Sequence, residues 1–435
     1  MEEKSIYERW FGVKPLIPLG YPWMSATGGA RLPAEVVAAM DEAADYKVDM
    51  TELLLQAGET VANIIGAEAA FITSCDSAAH ALAVAAMMTG KDIAKMEQLP
   101  NTEYPIRLKN EIIMQVGMFD HYKNAFRASG AELIWVGGKG PGLHTEYDPK
   151  TMKVKMMGIS ISPEELEEAI NERTVGIIAV IHCGPSAPPP CTLPVEEVVR
   201  IAKKHNIPTI ADAPHLPAVG GKVGRAFLRK YLDMGVDLVC ASGGKAIEGP
   251  NDTGIIYGRR DLVEAAAPQG APGIPLHAGT PEATRLRYTL VGRGFKVSKE
   301  QIVGLVAALK RYVAMDDEAV TARDTQICNW MADQFKDFPH VKVVGVVPEN
   351  DWPSDNMIEG GPSCILDLDE EALGIKITDL PKLMLKEDAP IVDVSPCLRL
   401  APWGKLQLFS HGLRDEEEEM VIERLKKILI RSARH

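Results

Sequence analysis

The sequence predicts an α/β protein: a doubly wound, mostly parallel sheet with a smaller α+β domain attached. Three observations support this. Between Ala69 and Tyr257 short apolar runs alternate with helical patterns, the rhythm of β-α-β units. Several of those runs, such as Val175 to Ile181, are continuously apolar, as strands covered on both faces are. At 435 residues the chain also exceeds the ~250–300 residues at which single cores usually divide, and beyond Gly294 the pattern turns antiparallel. The expected organisation is an N-terminal arm over 1–30 belonging to the small domain, a large domain over 31–294 and a small α+β domain over 295–435.

In chain order, the Ser-Ala-Thr-Gly-Gly stretch ending at Gly29 suits close approach of backbone to a ligand. Pro33 opens a helix to about Ala44, and a second helix over Met50 to Ile65 stops at Gly66. Ala69 to Thr73 reads as a strand, Ser74 to Ser77 as a polar turn and Ala78 to Met88 as an alanine-rich helix. Small hydroxyl residues entering a helix N-terminus suit a phosphate; the same turn also reads as a plain N-cap by Ser74 or Asp76.

Strands then follow at 112–115, 133–136, 175–181 and 209–211, alternating with helices at 122–129, 163–171 and 195–205. Leu238 to Ala241 is a buried strand, followed by Ser-Gly-Gly, Lys245, a Gly/Pro/Asn-rich loop and a second apolar run, Gly254 to Tyr257. Past Gly294 the expected elements are helices at 298–312 and 324–335, strands at 341–347, 363–368 and 398–400, and a final helix at 414–431.

Composition narrows the function. A net charge of −13 argues against a general nucleic-acid or anionic-membrane binder, which needs a basic face. No run of 18 or more uncharged apolar residues is present, and the charged start MEEKSIYERW lacks the apolar core of a signal peptide. The seven cysteines are scattered, with no CxxC pair, so neither a zinc site nor a disulfide framework is indicated. A cytoplasmic protein is expected.

The chemistry centres on Lys245. A lone lysine between a buried strand and a glycine-rich loop is well placed to form a Schiff base with a carbonyl compound, pyridoxal 5′-phosphate (PLP) being the obvious one. Asp212, at another strand end, is the group needed to keep a pyridinium nitrogen protonated; it could instead cap the Pro-His-Leu-Pro turn. In doubly wound sheets such strand ends face one crevice. Ser242 could donate to a phosphate, and His121 could stack on a cofactor ring or merely be exposed. Arg399 could clamp a carboxylate or form a structural ion pair. His182 and His215 follow strand ends and are proton-transfer candidates.

Several stretches carry a family resemblance: Gly66 to Ser74, Phe126 to Leu133, Pro208 to Ala213, Ser242-Gly-Gly-Lys245 with Gly249-Pro250 and Gly254, and Gly292 to Lys299. With them the chain resembles fold type I PLP enzymes, and within these the branch of selenocysteine synthase (L-seryl-tRNA(Sec) selenium transferase) and the D-glucosaminate and D-glucosaminate-6-phosphate ammonia-lyases. The resemblance implies that Lys245 carries the cofactor and that Asp212 pairs with its ring nitrogen. It also implies that Ser74, Cys75, Asp76, Ser77 and Ser242 line the phosphate end, with His121 on or near the ring; His215 is counted with the cofactor-binding candidates. The pair Cys75-Asp76 departs from the small or amide residues usual there, so Asp76 is expected to point away from the phosphate. For the substrate it leaves Arg399, Thr27, His182, Arg293 and Lys296.

The expected activity is PLP-dependent elimination of water or ammonia from a small hydroxylated amino acid or amino sugar acid, giving a 2-oxo acid. Aldol cleavage, racemisation, transamination and selenium or sulfur transfer to an aminoacyl substrate are the alternatives. No nucleic-acid partner is expected: the sequence shows no counterpart of the extra N-terminal domain expected for tRNA binding, and its charge is wrong for tRNA. The fold implies a homodimer or higher homo-oligomer.

Overall fold

A seven-stranded sheet holds the centre of the larger of two units. The computed structural model describes all residues except 1–3, 21, 117, 119–121, 138–143, 149–152, 158–160, 182–191, 214–215, 271–289, 348–361, 388–389 and 433–435. The described residues from Leu32 to Met315 form the larger unit; those up to Arg31 and from Asp316 onward form the smaller.

The strands in chain order are β1 (Leu16–Pro18), β2 (Ala69–Thr73), β3 (Glu111–Gln115), β4 (Glu132–Val136), β5 (His144–Asp148), β6 (Lys153–Met157) and β7 (Thr174–Ile181). They continue with β8 (Thr209–Asp212), β9 (Leu238–Ser242), β10 (Gly254–Gly258), β11 (Val341–Val347), β12 (Ser363–Leu368), β13 (Ile391–Asp393) and β14 (Lys405–Phe409). The large sheet runs β2-β10-β9-β8-β7-β3-β4, with β10 antiparallel to both neighbours and the other strands mutually parallel. Every residue of β7, β8, β9 and β10 is buried, which accounts for their mostly apolar sequences.

The helices obey the same logic. In Val195–Lys204 the residues Val195, Val198, Val199 and Ala202 form one buried stripe, with Glu196 and Glu197 in the first turn and Lys203 and Lys204 in the last. Met50–Ile65 is capped by Asp49 and stopped by Gly66 at φ 80°, in the left-handed region where glycine is favoured. The two compact units divide at 315/316, where the sequence reading set a boundary at 294/295. The helix Lys299–Ala314 packs within the larger unit, where the buried Tyr312 donates from its hydroxyl to Pro217 O at 2.7 Å.

In the smaller unit, β11, β12 and β14 form an antiparallel sheet, and β1 pairs in parallel with β13. Ile17 and Leu19 thereby join a core with Met331, Phe335, Leu366, Leu408 and Leu425. The strand expected at 398–400 is instead part of a 3-10 helix, Ser395–Trp403. Pro396 and Pro402 lack the N–H a sheet ladder needs, so strand pairing yields to the tighter turn.

Buried His411 sits against Trp23 and Phe409 at ring distances of 5.3 and 5.7 Å, and burial lowers its pKa to about 4. An unfolded histidine takes its proton near pH 6.5, so the fold loses stability as pH falls from about 6.5 to 4. Replacing His411 with phenylalanine is expected to flatten that part of the stability-against-pH curve in urea titrations.

Candidate active site

β8 and β9 lie side by side in parallel, with Asp212 opposite Cys240. Two residues further on, β9 ends at the buried Ser242, and the chain turns through Gly243 and Gly244 to Lys245. Backbone bonds pin this loop: Gly243 N donates to Thr253 O at 2.9 Å, Gly249 N to Gly243 O at 2.9 Å and Glu248 N to Lys245 O at 2.8 Å. Glu248, held at φ 59°, accepts from Arg311 Nη1 at 2.6 Å. Burial raises its carboxyl pKa, against the pull of Arg311. Lys245 is therefore carried on a braced loop.

The turn over 74–77 is brought alongside by β10. Gly254 pairs with Ser242 on one side and Thr73 on the other, so the exits of β9 and β2 are neighbours. A Cβ at Gly254 would lie 2.4 Å from Cys75 C and 2.5 Å from Cys75 O, so only glycine admits the turn this closely. Gly254→Val is expected to push the turn away, cost roughly 1–3 kcal/mol by overpacking and weaken cofactor binding at least tenfold. Fluorescence titration with PLP and urea unfolding would check both effects.

Neither Ser74 nor Asp76 caps the helix Asp76–Thr89. Cys75 is the N-cap, its Sγ accepting from Ala78 N at 3.3 Å, while Thr73 Oγ1 donates to Cys75 O at 2.8 Å. Ser74 and Cys75 are half-buried and Ser77 is exposed.

Asp76 faces inward, to a residue the sequence reading passed over. His80, fully buried one helical turn on, lies with Nε2 3.1 Å from Asp212 Oδ1 and 3.6 Å from Asp76 Oδ1. Its ring stacks on Phe126 at 4.3 Å and 21°. Neither ring nitrogen makes an aligned hydrogen bond among the described residues. Burial works against a charged His80, but Asp212 and then Asp76 outweigh it and raise its pKa. Burial, and then the charge of Asp212, pushes Asp76 up to about 7. Lys245 also acts electrostatically on both groups. The donor atoms of Asp76, His80 and Asp212 lie within 4.8 Å of one another, and with His80 protonated and Lys245 nearby the charges balance. The signal for His80 was available: it is the one polar residue between Ala78 and Met88, spaced i+4 from Asp76.

Lys245, Asp212, Ser242 and the 74–77 turn thus come together at one end of the sheet. His121, His182 and His215 lie outside the described residues. Arg293 and Lys296 are exposed around the 3-10 turn Arg293–Phe295 of the larger unit. In the smaller unit, Thr27 donates from its hydroxyl to Met24 O at 2.9 Å; Arg399 falls in the 3-10 helix, its side chain outside the described set.

The family described as aminotransferase class I and II matches residues 104–285. A D-glucosaminate-6-phosphate ammonia lyase of Salmonella typhimurium is 30% identical over 295 residues, covering 66% of this chain and 65% of its own. A 5'-C-glycyluridine monooxygenase-decarboxylase of Streptomyces sp is 27% identical over 404 residues, covering 93% of this chain and 87% of its own. A solved D-glucosaminate-6-phosphate ammonia-lyase shares the fold over the whole of both chains, with a TM-score of 0.76 at 23% identity. The chain is a fold type I PLP-dependent enzyme.

The residues present fit PLP. The buried Asp212 offers a carboxylate for the ring nitrogen, and Lys245 offers the amine for the carbonyl carbon. The turn beside Gly254 offers hydroxyls and a helix N-terminus for the phosphate. No helix among the described residues of this PLP enzyme is long and apolar enough to cross a membrane.

Proposed function

We infer that this enzyme is a PLP-dependent lyase that eliminates water or ammonia from a small hydroxylated amino acid or amino sugar acid, giving a 2-oxo acid. The reading is carried by Lys245 and Asp212 standing at adjacent parallel strand ends. It is supported by the 30% identity to an ammonia lyase. PLP, when bound, supplies a ring that withdraws electrons from the substrate carbon next to the amine. Asp212 accepts from the ring nitrogen and keeps its proton in place, which preserves that pull. Lys245 tethers the cofactor and then serves as the base at the substrate α-carbon. Ser74, Ser77 and Ser242 orient the phosphate, helped by the dipole of the helix that Cys75 caps. Arg399 is the group for the substrate carboxylate, by two-point guanidinium geometry, and Arg293 and Lys296 serve a more distant anion. On this reading His121 and His215 would serve the cofactor, and Thr27 and His182 the substrate.

Incubation with hydroxylated amino acids and amino sugar acids, with and without a terminal phosphate, tests this. Ammonia and a 2-oxo acid in equal amounts are expected; an aldehyde, an enantiomer or a new amino acid would replace elimination with another PLP reaction. A second reading rests on the match spanning 93% of the chain, to a monooxygenase-decarboxylase. Under it the enzyme would consume oxygen and release carbon dioxide from a glycyl-type amino acid, which an oxygen electrode would register.

A homo-oligomer, most simply a dimer, belongs to the same reading. The helix Ile6–Phe11 buries none of its residues, leaving Trp10 70% and Phe11 68% exposed. A reducing, cytoplasmic setting suits the free thiols of Cys75, Cys240, Cys328, Cys364 and Cys397. Light scattering would give the copy number.

A further inference from the structure

The cluster behind Asp212 does more than fill space. In a helix otherwise lined with alanine, an aliphatic residue at position 80 would bury without cost, whereas an imidazole between two carboxylates is expensive to dehydrate. The stack on Phe126 fixes the ring plane, and the helix fixes Asp76 one turn before it. Nε2 thereby lies within 4 Å of both carboxylates, closer to Asp212.

We propose that Asp76 and His80 are positioning residues for the cofactor ring: Asp76 holds His80 charged, and His80 presents its Nε2 proton to Asp212 Oδ1, fixing the charge and orientation with which Asp212 meets the ring nitrogen. This rests on Asp212 being the ring-nitrogen partner. The arrangement keeps a cation beside a carboxylate that is otherwise costly to bury. The other titratable groups facing the cluster are Lys245 from the β9–β10 loop, Cys240 from β9 and Tyr257 from β10. Burial, followed by Asp76 and Asp212, drives the Cys240 thiol well above its ordinary pKa, and burial also raises the Tyr257 phenol, so both stay neutral around pH 7.

The test uses the holoenzyme and two variants. Asp76→Asn keeps the shape and removes the charge; His80→Phe keeps the stack on Phe126 and removes the proton. Two quantities are read: the pH midpoint of the cofactor's absorbance change between pH 5 and 9, and the dissociation constant for PLP. With Asp76→Asn the midpoint is expected to move to lower pH by about one unit, because a negative charge near the cofactor has gone. With His80→Phe the affinity for PLP is expected to fall at least tenfold. A midpoint unchanged in Asp76→Asn overturns the proposal, and so does wild-type affinity in His80→Phe. Should His80→Phe fail to fold, the Asp76→Asn midpoint decides alone. A wild-type protein that binds no PLP would overturn both this proposal and the reading of the site, whereas unshifted variants of a PLP-binding wild type overturn only the proposal.

Discussion

Lys245→Ala is expected to abolish turnover and to remove the cofactor's visible absorbance from the purified protein. Two roles fall together in this one side chain. The amine tethers the cofactor, so its loss leaves only non-covalent contacts at the phosphate turn and Asp212. Under the proposed mechanism it is also the base at the substrate α-carbon, and general-base removal costs on the order of 10²–10⁴-fold in rate. The two losses can be separated. Adding a soluble primary amine and excess PLP supplies a base without the tether, so partial rescue is expected, whereas a purely structural lysine would not respond. The fold is expected to survive, because the bonds that brace the loop come from Gly243, Glu248, Gly249, Thr253 and Arg311. Normal turnover by Lys245→Ala would sink the mechanism.

Asp212→Asn is the second large effect. An amide of the same shape cannot hold a proton on the ring nitrogen, and the ring then loses most of its electron-withdrawing power. A fall of roughly 10²–10³-fold in kcat is expected, the scale on which single oriented electrostatic groups act in catalysis, with a smaller change in KM. The neighbours should report it too. Asp212 is the largest charge raising His80 and a large one raising Asp76, so in Asp212→Asn both groups should titrate at lower pH. NMR titration of the His80 ring would follow this; an unmoved imidazole would mean that Asp212 and His80 do not interact in solution.

Much of this site could be read before any coordinates. Lys245 and Asp212 each follow an apolar strand, and the parallel sheet that the β-α-β rhythm predicts brings strand ends to one edge. His80 escaped because the helical pattern around it is alanine, which signals burial but gives no hint of direction. Only the meeting of the helix Asp76–Thr89 with β8 shows that its imidazole reaches Asp212. Leu398-Arg399-Leu400 looked like a strand because apolar and polar residues alternate, yet the flanking prolines favour a 3-10 turn. The helix Gly221–Asp233 was overlooked because two glycines, Gly221 and Gly224, weaken its start. The hairpin of β5 and β6 was missed for the opposite reason: the polar β5 and the lysine-bearing β6 carry no long apolar run to mark them.

The antiparallel strand β10 has a consequence for how the enzyme is made. It is the piece that seats β2 next to β9, although β2 leaves the ribosome long before either of the others. A nascent chain halted just after Lys245 would already contain the lysine, Asp212 and the turn at Cys75, but not the strand that pairs with both β2 and β9. The last piece of the cradle is thus a late-synthesised segment that contributes no reacting group of its own.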